Sequence, residues 1–252
     1  MQKETGKSEE KMMRQPDFIG IGVMKAATTW LWYQLHAHPQ ISMLPQKELH
    51  YFDLLNITPQ QYLEKFSKVP KKFLTGEVTP SYIQVPHAPI IAKKLCPKTK
   101  FLVLLRNPVD RAWSHWKVAK WAEGKIPLET SFVEAFNMGH PWGPQWNTIK
   151  ERGCYLKYLK NWYKEFPKEQ IKIMWHDDVE KNPVGLLKDL YAWLGVEDSF
   201  VPKEYNKKIN ENWSGRKPIL KPEDREKIVR YYLPAIERLE KFTGRNLAAW
   251  KK

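Results

Sequence analysis

The chain has 252 residues and carries 42 Lys and Arg against 28 Asp and Glu, a net charge of +14, with only two cysteines, Cys96 and Cys154. Its length suits one domain, two cysteines make no disulfide framework and fit a reducing cytoplasm, and without an apolar leader or a run of about eighteen apolar residues neither secretion nor a membrane span is expected. The positive charge calls for an anionic partner or a solvated basic surface, but its lysines are scattered, as in Lys68–Lys72 and Lys203–Lys208, with no continuous basic helix or aromatic RNA-binding motif, so nucleic acid is not expected.

Residues 1–15 are polar and charged and read as a disordered tail, leaving a domain over residues 16–252. Phe18–Val23 is a short apolar strand, followed by a turn carrying Lys25 and a helix over Thr28–His36. Gly20 and Gly22 allow the backbone to bend and to approach a ligand without Cβ clashes. Lys25, the hydroxyls of Thr28 and Thr29 and the free N–H groups of the first helical turn together suit a phosphate or sulfate group. An ordinary Gly-rich strand–helix connection is the plainer reading of the same residues. It is not a Walker loop, because Ala26 and Ala27 follow the lysine and Met24 stands where the second glycine belongs.

A short strand near Ile41–Met43, a helix over Pro59–Phe66, a strand over Phe73–Glu77 and a helix over Ala88–Leu95 come next. His36 and His38 read as a helix end and its following turn, and no His, Cys and Asp cluster has metal-ligand spacing, so no metal is expected. Lys100–Leu105 is an unbroken apolar run, suited to a strand buried on both faces, and it ends in Arg106. Asn107 is a good N-cap and Pro108 fits the first helical position of a helix over Val109–Glu123, with Gly124 as its stop. Arg106 therefore stands at the carboxyl end of a central strand, where open α/β sheets bind ligands, and Ser114 lies about two turns into the next helix. A guanidinium fork and a hydroxyl suit a phosphate. An arginine paired with a carboxylate and a serine at a helix contact are the alternatives.

Helices over Ser131–Met138, Tyr155–Phe166 and Pro183–Leu194, a strand over Gln170–Trp175 and a long helix over Pro222–Phe242 complete the chain. In the last helix Ile228, Tyr231, Tyr232, Ala235, Ile236 and Leu239 form a packing stripe. The alternation predicts a single α/β domain with a central parallel sheet flanked by helices.

Two motifs, K-x-x-T-T-W at Lys25–Trp30 and L-L-R-N-P-x-D-R-A-x-S-H-W at Leu104–Trp116, lie about eighty residues apart. Together they resemble the sulfotransferases that use 3′-phosphoadenosine-5′-phosphosulfate (PAPS). Gln46–Asp53 is similar to the K-E-x-H-F-F-D segment of the heparan-sulfate-type enzymes, and Gly76–Tyr82 to their E-K-T-P-S-Y. Gly153–Trp162 is similar to their G-x-Y-x-x-x-L-x-x-W helix, Ser214–Pro218 to their K-G-R-x-P loop, and Tyr231–Trp250 to the ending of bacterial members.

The resemblance implies a P-loop-nucleotide-kinase-like sulfotransferase fold, PAPS as co-substrate and 3′-phosphoadenosine-5′-phosphate (PAP) as product. It places Lys25, Ala26, Ala27, Thr28, Thr29 and Trp30 on the 5′-phosphosulfate, and Arg106 and Ser114 on the 3′-phosphate. Gly215, Arg216 and Lys217 belong to a loop over the nucleotide. Lys25 would neutralise the leaving phosphate and Glu48 would be the general base. His50, on the same side of an extended chain, would orient the acceptor or Glu48, or be the base itself, as in cytosolic aryl sulfotransferases. Two family lysines are replaced, by Val78 and by Ser214.

The implied acceptor is a hydroxyl or amine of a carbohydrate-like molecule. A lipid, phenol or other small alcohol is the alternative among enzymes, and a non-catalytic basic protein binding nucleic acid or another polyanion is the alternative of another class. Trp113, Trp116, Trp121, Trp142, Trp146 and Trp213 offer aromatic faces for sugars or aryl rings, and the Gly- and Pro-rich segment Asn137–Trp146 suits an acceptor loop.

Overall fold

The computed structural model describes residues 13–138, 148–207 and 218–252. Four parallel strands form one sheet in the order β2-β1-β3-β4, with β1 Phe18–Gly22, β2 Gly76–Val78, β3 Lys100–Leu105 and β4 Ile171–Trp175. Parallel neighbours require long crossovers, and helices supply them. These are α1 Thr28–Ala37, α2 Tyr51–Leu54, α3 Pro59–Ser67, α4 Ala88–Leu95, α5 Pro108–Trp121, α6 Phe132–Asn137, α7 Tyr155–Glu165, α8 His176–Lys181, α9 Pro183–Leu194 and α10 Pro222–Thr243.

The centre of the sheet is as apolar as its sequence demands. Phe101, Leu102, Val103, Leu104 and Leu105 are all fully buried, and each such side chain contributes about 1.5–3 kcal/mol over an exposed one. The register of β1 on β3 shifts between Gly20 and Gly22, a bulge that turns the chain just before the Lys25 loop. Helix α10 packs against α5 and α7, burying Ile228, Tyr232, Ile236 and Leu239 while Tyr231 stays partly exposed.

Several expectations shift. Ile41–Met43 is not a strand: Ile41 makes a single parallel bridge to Leu74, and the side chains of Ile41 and Met43 are buried without a ladder. The strand expected over Phe73–Glu77 starts only at Gly76, because the Phe73 N–H closes a turn onto the Pro70 carbonyl. The short helices α2 and α8 were not legible. The tail expected over residues 1–15 lies mostly outside the described residues, but the Arg14 guanidinium donates to the carbonyls of Val69, Pro70 and Phe73 and pairs with Asp17.

Candidate functional site

The carboxyl ends of β1, β2 and β3 converge on one edge of the sheet, and each feeds a segment with chemistry on it. After β1 the chain turns through Lys25 and Ala27, both with left-handed backbone (φ 70 and 67). The expected reason for Gly20 and Gly22 needs correction. A Cβ on Gly20 would lie 2.9 Å from both methyls of Val78, and one on Gly22 would lie 2.7 Å from Ile83 Cγ2, so these glycines admit neighbouring side chains rather than a ligand. Ala27 is the N-cap of α1 and has no side chain to cap it, so the N–H groups of Thr28, Thr29 and Trp30 are left to the loop. Thr28 is buried and Thr29 half-buried, whereas Trp30 turns its indole inward and donates to the Tyr205 carbonyl at 2.7 Å. Trp30 thus offers the loop its backbone rather than its ring.

At the end of β3, Asn107 caps α5 by accepting from the Val109 N–H at 2.9 Å, with Pro108 next, as the sequence requires. Arg106 Nη1 donates to the Lys25 carbonyl at 3.0 Å, and the Arg106 carbonyl accepts from the Tyr155 hydroxyl at 2.7 Å. Among the described residues Arg106 makes no ion pair. Ser114 lies half-buried on α5. Burial first, then the charge of Arg106, push the Lys25 ammonium below its ordinary pKa; Lys117 and Lys47 add to the push while Glu123 opposes it. Burial and Arg106 push Lys117 down as well. This crowd of cations beside an uncapped helix N-terminus fits a group with several negative charges.

The third segment lies beside β2. His50 Nε2 is 3.3 Å from Glu48 Oε2, and His50 Nδ1 is 2.9 Å from Asp53 Oδ2. Lys47 Nζ bonds the other Glu48 oxygen, and the Ser81 hydroxyl donates to Asp53. The expected extended chain is not what joins Glu48 to His50. His50 has φ 54 and begins α2, which brings Asp53 one turn on to its ring. The hydrogen bonds to Asp53 and Glu48 raise the His50 pKa to about 10. Burial raises the Glu48 carboxyl, but the bonds from His50 and Lys47 outweigh it and leave the group below its ordinary value. At neutral pH Glu48 is therefore a carboxylate and His50 a cation already holding both ring protons.

Asp53, Ser81, Lys47 and Lys117 belong to this constellation and were not singled out from sequence. Asp53 lies three residues after His50 and Lys117 three after Ser114, spacings of one helical face; the first shows only once α2 is recognised, whereas the second lay within the helix expected over Val109–Glu123. Val78, where the family pattern has lysine, is fully buried against Gly20 and brings no charge. Trp113 and Trp116 stack at 4.7 Å, and Trp121 and Phe132 close an aromatic cluster around them. Ser214, Gly215, Arg216, Lys217, Trp142, Trp146 and Trp213 lie outside the described residues. Among the described residues no three His, Cys, Asp or Glu side chains gather as a metal site, and no helix is long and apolar enough to cross a membrane.

Residues 15–227 match the family model described as the sulfotransferase domain. The chain belongs to that family. It is 29% identical over 195 residues to the mouse bifunctional heparan sulfate N-deacetylase/N-sulfotransferase 4, covering 72% of this chain and 22% of that protein. It is 28% identical over 191 residues to the mouse heparan sulfate glucosamine 3-O-sulfotransferase 3B1, covering 75% and 48%. The chain thus spans about a fifth of the first relative's length and about half of the second's. The crystal structure of a sulfotransferase from Alicyclobacillus acidocaldarius aligns with a TM-score of 0.81 and 26% identity, covering 95% of this chain and 100% of that one. The sulfotransferase domain therefore accounts for the single α/β architecture with its parallel sheet flanked by helices, and the three converging segments are where its chemistry is to be sought.

Proposed function

We propose that this protein transfers a sulfuryl group from PAPS to a hydroxyl or amine of a carbohydrate-like acceptor and releases PAP. The observation that carries the reading is the 3.0 Å hydrogen bond from Arg106 to the Lys25 carbonyl, which joins the two anion-suited motifs at adjacent strand ends. The donor carries two separate phosphate positions, and two separate cationic positions face it. Lys25 and the N–H groups of Thr28, Thr29 and Trp30 hold the 5′ end, with Ala26 and Ala27 shaping the turn; Arg106 and Ser114 hold the 3′-phosphate.

Glu48 accepts the acceptor proton as the new bond to sulfur forms. Lys25 neutralises the charge left on the 5′-phosphate oxygen as its bond to sulfur breaks. His50, charged and bonded on both sides, steadies Glu48 rather than acting as the base. The carbohydrate-like acceptor is supported by the matches to two heparan sulfate sulfotransferases and by the Glu48–His50–Asp53 segment.

The test is thermal unfolding with PAP and with AMP, which lacks the 3′-phosphate. PAP at about a hundredfold over its Kd should add roughly 2.7 kcal/mol of stability, and AMP much less at the same concentration. Equal stabilisation by both ligands removes Arg106 and Ser114 from the 3′ site. Labelled sulfate transferred from PAPS to glycans but not to phenols or lipids supports the acceptor class; the reverse preference overturns it.

A further inference from the structure

The buried groups behind Glu48 and His50 carry more order than packing alone explains. Glu77, the middle residue of β2, is fully buried, and among the described residues no cation pairs with it. Its carboxyl is held by hydroxyls and one amide instead. Oε1 accepts from the Tyr62 hydroxyl at 2.8 Å and the Tyr82 hydroxyl at 3.0 Å. Oε2 accepts from the Thr79 hydroxyl at 2.5 Å and the Leu49 N–H at 3.3 Å.

The far side of this network reaches the acid–base segment. The Leu49 N–H also donates to Thr79 Oγ1 at 3.0 Å, and the Tyr51 N–H donates to the Tyr82 hydroxyl at 2.7 Å. The Lys47 carbonyl accepts from the Val78 N–H at 3.3 Å. Residues 47, 49 and 51 are therefore pinned by their backbone to β2 and the chain just after it. The residues between them, Glu48 and His50, are the ones with side chains in the Lys47–Glu48–His50–Asp53 chain. His50 keeps a left-handed backbone at φ 54, a conformation that persists in a non-glycine residue only where its surroundings dictate it, and its two flanking N–H groups are both held by this network. The Thr79 N–H in turn donates to the Gly20 carbonyl at 2.8 Å, on the strand that leads into the Lys25 loop.

We propose that Glu77 is a positioning residue for sulfuryl transfer, the hub that fixes the Leu49 and Tyr51 N–H groups and thereby the reach of Glu48 and His50 towards the acceptor. A buried carboxyl without a cation is costly compared with an apolar side chain of similar size, so stability is a poor reason for one here. A fully bonded buried network does specify a single geometry, and displacement of a catalytic group by about 1 Å costs on the order of 10²-fold in rate. The inference rests on the roles given above to Glu48 and His50.

Glu77→Gln keeps the shape but replaces one carboxyl oxygen with an amide N–H₂, which faces hydroxyls or an N–H that donate to Glu77 in the parent. We expect kcat to fall about 10- to 100-fold, with the KM for PAPS and the Kd for PAP within about twofold of the parent. Tyr82→Phe removes only the hydroxyl between Glu77 and the Tyr51 N–H, so it supplies the same readout where Glu77→Gln does not fold. A positioning residue acts through the group it positions, so in a Glu48→Gln background the Glu77→Gln change should add no further loss. A Glu77→Gln protein that melts earlier but keeps its kcat while folded overturns the proposal, and so does a loss that multiplies in the double variant. Absence of PAPS-dependent transfer by the parent protein instead overturns the sulfotransferase reading; parent activity with an indifferent Glu77→Gln variant overturns only the role of Glu77.

Discussion

Lys25 occupies a backbone conformation that costs a non-glycine residue about 1–3 kcal/mol, and its carbonyl is the group that Arg106 holds. The loop is thus held by the partner across the sheet, and in the proposed reaction the lysine is the cation that meets the charge developing on the leaving phosphate. Lys25→Ala should lower kcat by about 10²–10³ while leaving the circular dichroism spectrum unchanged, and a folded variant with near-normal kcat would remove the lysine from the chemistry. Glu48 is kept a carboxylate against burial by its bonds from His50 and Lys47, so His50 supplies both orientation and part of what holds the charge. Glu48→Gln should keep PAP affinity and lose about 10²–10⁴ in kcat, with His50→Ala the milder change, measured under saturating PAPS. An active Glu48→Gln protein beside a dead His50→Ala protein would move the base to the histidine and weaken the carbohydrate acceptor with it.

The elements that carry Lys25 and Arg106 were legible because each is announced locally. β3 is an unbroken apolar run, Asn107 and Pro108 mark the start of α5, and Lys25 stands between an apolar strand and a helical pattern. The geometry around His50 was not legible. A four-residue helix such as α2 carries no periodicity to detect, and helices so short form only where tertiary contacts hold them. The sequence read as extended there, which kept Glu48 and His50 together but hid Asp53, Ser81 and the buried Glu77 behind them. Lys117 was hidden for a different reason: it lies on a helix the sequence predicts, but its charge is meaningful only beside Arg106 and Lys25, which folding brings next to it. Caps test this local logic. Asn107→Ala and Thr58→Ala each remove an N-cap side-chain bond and should each cost about 1 kcal/mol in urea unfolding. Only the change at Asn107, adjacent to Arg106, should also weaken PAP binding; equal PAP affinity in both variants would show that the β3–α5 turn does not shape the donor site.

Across the whole molecule, the charges gathered at one edge of the sheet are linked to folding. The His50 pKa stands at about 10 in the folded protein, raised by Asp53 and Glu48 from an ordinary 6.5. The folded state therefore keeps a proton that the unfolded chain releases, so this contribution to stability is fully present below about pH 6.5 and is lost as pH rises through about 10. Glu77, pushed up by burial to about 7 from 4.5, acts in the same sense at lower pH, with its contribution falling between those values. His115 and His176 act in the opposite sense below pH 6.5, because burial lowers both and the folded state resists their protonation. Lys25, lowered by burial and by Arg106, opposes His50 at the alkaline end. Comparison of the parent with His50→Gln cancels the contributions the two proteins share and isolates the histidine. The parent should melt above the variant at pH 7, and the gap between their Tm values should close as pH is raised to 10. Two Tm curves that run parallel over that range would mean that His50 is not held as a cation in the fold, and the assignment of its proton, and of Glu48 as the group left free to accept one, would fail together.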